Sequence, residues 1–488
     1  MLAPTTAIAE PPWWMRRAVP IALAVFALGF GLWWPDVITN TDEGMYVHHA
    51  ATLLRGQTHV AVIDPWTGAT SWQLPAQYPL LTSLLQMPAM ALVGWRGAYV
   101  EPLLGVLVTV LATAHWLRRW QLDPNFALLW LTFLPYVVLA RVATSDVIGT
   151  AWVALSMAAF VEGQARDHAS VRRGPWWIAG FLAGSSIAFR EMGPFVPLVF
   201  FAGAVFRRQP GWYWLLIGGL FGVCVRPLSA WWAFGNPLFI KESLPAWWGI
   251  QHLRANFWPD VALLTFALPG GLPALLAYRG PLRAEMILSA LLFIGLHMCY
   301  EFAGGGSGWY SAVVGGRFFN LAVPMLIVAV AHAVKRLEAA AIAPRLWRWV
   351  RGALLVGAVA VAAALHPAMA HWSRSHRQVQ DSFCQNVPPG AVAIVNTSVI
   401  GKYISPVTCL RTMVDLSPDS LAQLSKLLAR NPQVYIGVVE RADSSYWREW
   451  TATYLAWVKQ LPAAYRLEPV YRGPDGWQRL QLWRVLAK

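Results

Sequence analysis

Long apolar runs, separated by short polar loops, fill the chain from residue 18 to about residue 366. Runs of roughly 17 to 22 residues recur, and a helix of that length can cross ~30 Å of hydrocarbon. The pattern predicts spans near residues 18–34, 98–117, 125–142, 146–162, 176–189, 194–206, 212–234, 258–277, 284–302, 318–334 and 347–366. The predicted fold class is therefore a multi-span α-helical membrane protein with about eleven transmembrane helices.

The basic loops predict the orientation of these spans. Arg and Lys recur in alternate loops, for example at Arg118/Arg119 and at Arg207/Arg208. By the positive-inside rule these loops and the N-terminus face the cytoplasm. The apolar run 79–94 would invert every later loop if it crossed the membrane, so we interpret it as a helix that lies in the outer interface or re-enters from it.

The pattern changes in the last part of the chain. Strand-like runs at 391–395 and 434–440 alternate with helix-like runs. This predicts a membrane domain over 1–369, with an external loop over 35–97, followed by a small periplasmic α/β domain over 370–488. Cys384 and Cys409 are the only cysteines in that domain. A disulfide between them fits an oxidising compartment such as the periplasm of a bacterium, and two unpaired thiols are the alternative.

Composition agrees with a membrane protein. The chain is 57% hydrophobic and 13% charged, with a formal net charge of +14. A basic chain can indicate a nucleic-acid partner, but here the charge is spread over short loops and no basic run with interleaved aromatics appears. The expected surroundings are membrane lipids, with no nucleic acid.

The segment ITNTDEGMYVHHA, residues 38–50, places adjacent carboxylates just after the first span. On a helix, Asp42, Tyr46 and His49 share one face while Glu43 points aside. A carboxylate that is water-accessible but partly desolvated suits a general base. The alternative is that the acids only cap an interfacial helix, because acids favour helix N-termini.

Further charged residues lie at the predicted outer ends of several spans. They are Arg141, Asp146, Arg190, Glu191, Lys241, Glu242 and Arg317, together with Arg226 inside the seventh span. Local ion pairs explain any one of them but explain the whole set poorly. Cations at this boundary suit a lipid-linked phosphate, and carboxylates suit activation of a hydroxyl. Outer-loop tryptophans such as Trp66 and Trp248 suit stacking on sugar rings, although membrane-interface anchoring is the commoner reason for such residues.

A metal site has weaker support. His48, His49, His59 and Asp64 are near one another in sequence, but their spacing is not diagnostic of any metal. No cofactor is predicted, and a divalent metal stays an alternative without a supporting pattern.

Several segments together resemble the GT-C glycosyltransferase superfamily. TDEGMYVHHATLLRG resembles its acidic first external loop, QYPLLTSLL its Pro-Pro-Leu segment, RVATSD its second acidic loop and GRFFNLAVP its Arg-Tyr-Leu-Leu-Pro-like span entry. The branch is that of the protein O-mannosyltransferase-like and aminoarabinose lipid A transferase-like enzymes. Two departures are Gln77, where relatives often carry Lys, and Phe318, where they carry Tyr.

The resemblance implies transfer of a sugar from a polyprenyl-phosphate carrier to an acceptor on lipid A, a glycan or a protein, on the periplasmic face. By position, Asp42 would activate the acceptor with Glu43 beside it, Asp146 would be the second acidic-loop residue, and Arg317 would contact the donor phosphate. We expect a single displacement in which Asp42 takes the acceptor's proton.

The remaining candidates are assigned to substrate binding: Tyr46, His49, Arg190, Arg226 and Lys241. A transporter or flippase for lipid-linked sugars is the main alternative, and a non-catalytic scaffold is a third. A transporter favours polar residues near the bilayer midplane and paired repeats, and the sequence shows neither convincingly.

Overall fold

The computed structural model describes residues 17–74, 78–164, 173–238, 248–301, 315–340, 344–396, 407, 409, 411–441, 445–473 and 478–488. The helices of the membrane part are α1 Ala18–Leu32, α2 Thr41–Leu54, α3 Leu80–Val93, α4 Val100–Arg119, α5 Leu129–Thr132, α6 Leu134–Leu139, α7 Ser145–Gln164, α8 Arg173–Ser185, α9 Phe195–Phe206, α10 Trp212–Phe234, α11 Leu253–Phe266, α12 Gly271–Leu276, α13 Arg283–Met298, α14 Val323–Ala339 and α15 Pro344–Asn386. The later helices are α16 Pro418–Ala422, α17 Leu424–Arg430 and α18 Ser445–Gln460, and the strands are β1 Val60–Ile63, β2 Thr70–Gln73, β3 Val392–Val395, β4 Thr412–Asp415, β5 Val434–Arg441, β6 Tyr465–Gly473 and β7 Gln478–Ala487.

Four helical stretches are long and apolar enough to cross a membrane within the part of the chain that the structure describes. They are Leu80–Arg119, Ser145–Gln164, Trp212–Phe234 and Trp349–Asn386, and Ala18–Leu32 and Phe195–Phe206 are shorter apolar helices. Many large apolar side chains on these helices face outward, as expected where lipid replaces water. The chain is thus a helical membrane protein, and the total of eleven spans stays a prediction.

Two spans that the sequence predicts as continuous helices are broken. Residues 125–142 form a 3-10 turn followed by the short helices α5 and α6, which restart around Pro135 because proline lacks the N–H that a continuing helix needs. Residues 258–277 divide into α11 and α12 at Gly270, whose φ of 71° lies in the left-handed region.

The chain reverses direction between α3 and α4. Gly94 has a φ of 72°, and a Cβ on Gly97 would lie 2.3 Å from the carbonyl oxygen of Ala89. Gln86 Nε2 also donates to Glu101 Oε2 at 3.4 Å, a contact that a straight helix would not allow. The charge pattern predicts that the run 79–94 lies in the outer interface or re-enters from the outer face.

The C-terminal part forms a five-stranded sheet in the order β4-β3-β5-β7-β6. Strand β3 pairs in parallel with β4 and β5, while β7 is antiparallel to β5 and β6. Helix α15 continues through the predicted boundary at 369/370, because its outer end is amphipathic and buries Val379 and Phe383 against the sheet. Ser417 caps α16 with a capping box.

The external loop packs on the C-terminal sheet domain. Trp66, in the turn between β1 and β2, packs against the core on one side of the sheet, and Asn431 Nδ2 donates to the carbonyl oxygen of Pro65 at 3.3 Å. Trp66 therefore has a packing role, which argues against the sugar-stacking alternative for this residue.

The structure pairs Cys384 and Cys409 as a disulfide, with Cα atoms 5.7 Å apart, inside the usual range for such a bond. Cys224 and Cys299 are free thiols. We expect maleimide to label two cysteines of the denatured, unreduced protein and four after reduction. Mass spectrometry of the intact chain counts the labels, and four labels before reduction would contradict the pairing.

Candidate active site

Helix α2 begins at Asn40, whose side chain caps it by accepting from the Glu43 N–H at 2.9 Å. The Glu43 carboxylate is fully buried and accepts from Thr39 N at 2.7 Å, Thr39 Oγ1 at 3.1 Å and Ala143 N at 3.1 Å. Burial raises the pKa of Glu43, while hydrogen bonds from Tyr99, Thr39 and Ala143 act in the opposite direction. Glu43 therefore ties the start of α2 to the loop before α7.

Asp42 lies on a different face of α2 and is only half-buried. The Tyr78 hydroxyl donates to Asp42 Oδ1 at 2.7 Å, and the ring of Tyr46 packs 4.9 Å from the ring of Tyr78. Burial raises the pKa of Tyr78, the charge of Asp42 raises it further, and the charge of Arg317 lowers it. Tyr78 is thus within electrostatic range of both the predicted base and the predicted phosphate contact.

The second acidic loop lies directly against α2. The Tyr46 hydroxyl is hydrogen-bonded to Ser145 Oγ at 2.9 Å, one residue before Asp146. Asp146 accepts from Thr144 Oγ1 at 3.1 Å and forms an ion pair with Arg190. The two acidic segments that the sequence analysis identified separately therefore adjoin in the fold.

A cavity of about 400 Å³ lies beside these groups. Its polar lining includes three predicted site residues, Asp146, Arg190 and Arg317. The rest of its wall is Thr150, Glu191, Met192, Trp248, Phe293, Leu296, His297, Tyr300, Phe318, Asn320 and Leu321. A largely apolar cavity with a few convergent charged groups is the usual form of a small-molecule site.

The ring of Phe318 lies close to both cations of this cavity. The guanidinium carbons of Arg190 and Arg317 lie 5.3 Å and 5.1 Å from the centre of its ring, a cation–π distance. Burial lowers the pKa of Arg190, and the nearby charge of Arg317 lowers it further. Two cations held this close favour an anionic ligand, because an anion between them relieves their repulsion.

Asp42 belongs to the same neighbourhood. It is not part of the cavity wall itself, but its partner Tyr78 packs against Tyr46, whose hydroxyl is hydrogen-bonded to Ser145, the residue before the wall residue Asp146. The predicted base and the predicted phosphate contacts therefore converge on one region of the fold.

Two other candidates, Arg226 and His49, are not in the cavity wall. Arg226, buried in α10, forms an ion pair with Glu191 at 3.2 Å, which explains how this helix accommodates a cation. His49 is fully buried near the ring of Phe234, and burial together with the charges of His48 and His59 lowers its pKa to about 4.

Lys241 and Glu242 lie outside the described residues. Among the residues that the structure describes, no group of three His, Cys, Asp or Glu side chains is placed to hold a metal ion.

Sequence reasoning missed three groups of the site. Tyr78 lies inside the segment QYPLLTSLL, next to Gln77. His297 faces the cavity from a segment without a charge signal, and Asn320 lies three residues after Arg317 in GRFFNLAVP. A tyrosine just before the proline of an external apolar segment is the one sequence feature that could have indicated Tyr78.

Replacing Glu43 with Gln tests its bracing role. One oxygen of Glu43 accepts from Thr39 and the other from Ala143, so the amide NH₂ of Gln must face an N–H donor on one side. We expect a lower melting temperature, by an amount corresponding to about 1–3 kcal/mol for a buried group left without a partner. Thermal unfolding in detergent measures it, and an unchanged melting temperature would contradict the bracing role.

The fold is similar to solved glycosyltransferases of the GT-C type. The structure of ArnT from Cupriavidus metallidurans bound to undecaprenyl phosphate matches with a TM-score of 0.61 at 17% identity, over 96% of this chain and 98% of that one. Archaeal oligosaccharyltransferase AglB from Archaeoglobus fulgidus, in complex with an inhibitory peptide and a dolichol-phosphate, matches with 0.52 at 12% identity, over 96% and 74%.

Arabinofuranosyltransferase AftD from Mycobacteria matches with a TM-score of 0.54 at 13% identity, over 97% of this chain and 42% of that one. No family model matches the sequence, and no curated protein matches it. The similarity to the GT-C fold that the motifs indicated is thus confirmed at the level of structure.

Proposed function

We propose that the protein is an integral membrane glycosyltransferase that moves a sugar from a polyprenyl-phosphate carrier to an acceptor on the periplasmic face. One observation carries the proposal: a cavity with two cations in its wall adjoins the acidic segment of Asp42. The solved structures that share the fold include one with undecaprenyl phosphate and one with a dolichol-phosphate. The acceptor class is lipid A, a glycan or a protein.

The reaction is a single displacement. The acceptor oxygen forms a bond to the anomeric carbon of the sugar while the bond from that carbon to the phosphate oxygen breaks. The acceptor's proton passes to Asp42, and the electron pair leaves with the polyprenyl phosphate. Arg317 and Arg190 stabilise the negative charge that develops on the departing phosphate.

The carboxylates of Asp146 and Glu43 position the residues that take part in the reaction. Asp146 orients Arg190 through their ion pair, and Glu43 braces α2 so that Asp42 stays beside Tyr78. Tyr46 holds the two acidic segments together, and Arg226 orients Glu191 at the cavity wall. Lys241 and His49 are proposed as further substrate contacts.

The proposed topology puts the N-terminus in the cytoplasm and the domain over 370–488 in the periplasm of the bacterial inner membrane. Eleven spans satisfy the alternation of basic loops. In this topology the cavity and Asp42 lie on the outer side, where a carrier enters from the lipid and an acceptor from the periplasm.

Incubation of purified protein with radiolabelled undecaprenyl-phosphate sugars and candidate acceptors tests the proposal. We expect label on lipid A, on a glycan or on a protein, with release of undecaprenyl phosphate. Movement of the labelled lipid across a vesicle membrane without transfer would favour the transporter alternative and contradict the proposal.

A further inference from the structure

Asn320 is a buried polar residue of the cavity wall whose side chain the mechanism does not use. It follows the 3-10 turn Gly316–Phe319, lines the cavity and is 3% exposed. Neither its Nδ2 nor its Oδ1 has a hydrogen-bond partner among the described residues. Buried amides are almost always satisfied in native proteins, so a bound ligand is the expected partner of this one.

The chemistry of an amide identifies that ligand. Nδ2 donates hydrogen bonds and Oδ1 accepts them. A phosphate oxygen only accepts at its charged positions, so it would leave Oδ1 unsatisfied. A hydroxyl group both donates and accepts, and it satisfies either atom. The two unpartnered side-chain atoms of Asn320 therefore fit the hydroxyls of a sugar better than they fit the phosphate.

The placement of Asn320 agrees with this assignment. Its backbone N–H donates to the carbonyl oxygen of Arg317 at 3.3 Å, so one turn carries both the amide and a cation to the cavity wall. Trp248, half-exposed on the same wall, already donates its indole N–H to the Leu296 carbonyl at 3.1 Å. It thus offers apolar contact, which leaves Asn320 as a polar group for the sugar.

We propose that Asn320 binds a hydroxyl of the donor sugar and so lets the enzyme distinguish a sugar-loaded carrier from an empty one. This inference rests on the proposed function. The phosphate is held by Arg317 and Arg190, which recognise both forms of the carrier, whereas the amide contacts only the form that carries a sugar.

Binding to the full-length protein in nanodiscs tests the assignment. The probes are undecaprenyl phosphate alone and undecaprenyl phosphate carrying glucose, mannose, galactose or 4-amino-4-deoxyarabinose. We expect the wild type to bind at least one loaded carrier more tightly than the empty one. In Asn320→Leu, which keeps the branched arrangement of heavy atoms but removes the amide, we expect that loaded carrier to bind about tenfold more weakly, with binding of the empty carrier within about twofold of wild type.

Arg317→Gln is the matched comparison, because it is expected to weaken binding of both forms. An equal loss of both affinities in Asn320→Leu, no loss of either, or a wild type without preference for any loaded carrier would overturn the inference. A wild type that binds no form of the carrier would overturn the proposed function as well. Asn320→Ala, judged by the same affinity ratio, replaces Asn320→Leu if the latter does not fold.

Discussion

Replacing Asp42 with Asn is expected to lower the transfer rate ~10²- to 10⁴-fold, the usual cost of losing a positioned general base. The Oδ1 of Asn can still accept the hydrogen bond that Tyr78 now donates to Asp42 at 2.7 Å. The variant therefore keeps the local geometry but cannot take the acceptor's proton. Initial rates with a radiolabelled undecaprenyl-phosphate sugar, measured beside the melting temperature, separate the chemical loss from a folding defect.

Asp381→Asn is the control for this experiment. Asp381 lies on the outer part of α15 with a side chain 59% exposed, and the substitution makes the same change in charge far along the chain from the acidic segment. We expect it to transfer sugar at the wild-type rate. Near-normal turnover in Asp42→Asn, or an equal loss in Asp381→Asn, would remove the assignment of Asp42 as the base.

Replacing Arg317 with Gln is expected to lower the transfer rate ~10²- to 10³-fold, comparable with the loss of one preorganised oxyanion donor. The reason is that charge develops on the phosphate as the bond to the sugar breaks, and Arg317 lies on the cavity wall beside the ring of Phe318. Arg317→Lys keeps the charge but not the planar fork, so an intermediate rate is expected. Single-turnover rates and donor affinity are the measurements.

Arg377→Gln is the matched control for Arg317. Arg377 is a half-exposed arginine of α15 that pairs with Asp36 on the surface. Because a surface ion pair contributes little, we expect rates and donor affinity like those of the wild type. The phosphate assignment fails if Arg317→Gln binds and transfers the donor as well as Arg377→Gln does.

The ends of the apolar runs made much of the site predictable. Hydrophobic runs end where the chain leaves the lipid, so charged residues such as Asp146, Arg190 and Arg317 could be assigned to one boundary before any contact was known. Helical periodicity also separated Asp42 from Glu43. In the structure, Asp42 accepts a hydrogen bond from Tyr78, whereas Glu43 accepts from the backbone N–H groups of Thr39 and Ala143.

The contacts themselves could not be predicted from periodicity. Tyr78 contacts Asp42 across 36 positions, and the ring of Phe318 lies close to two arginines from different elements. Such contacts depend on how the helices pack. The helix breaks at Pro135 and Gly270 were not predicted, although both residues are of types that interrupt helices. An apolar run has the same hydrophobic pattern whether its helix is continuous or broken.

Cross-linking from outside the cell membrane tests most directly whether Asp42 and Arg317 share one outward-facing site. Cys224 and Cys299 are first replaced with Ser, and Asp42→Cys and Arg317→Cys are combined in that background. We predict that a short, membrane-impermeant bifunctional thiol reagent added to spheroplasts joins the two positions, as detected by mass spectrometry of the linked peptides. Reaction of either cysteine only after the membrane is ruptured, or labelling of both without a cross-link, would contradict the account.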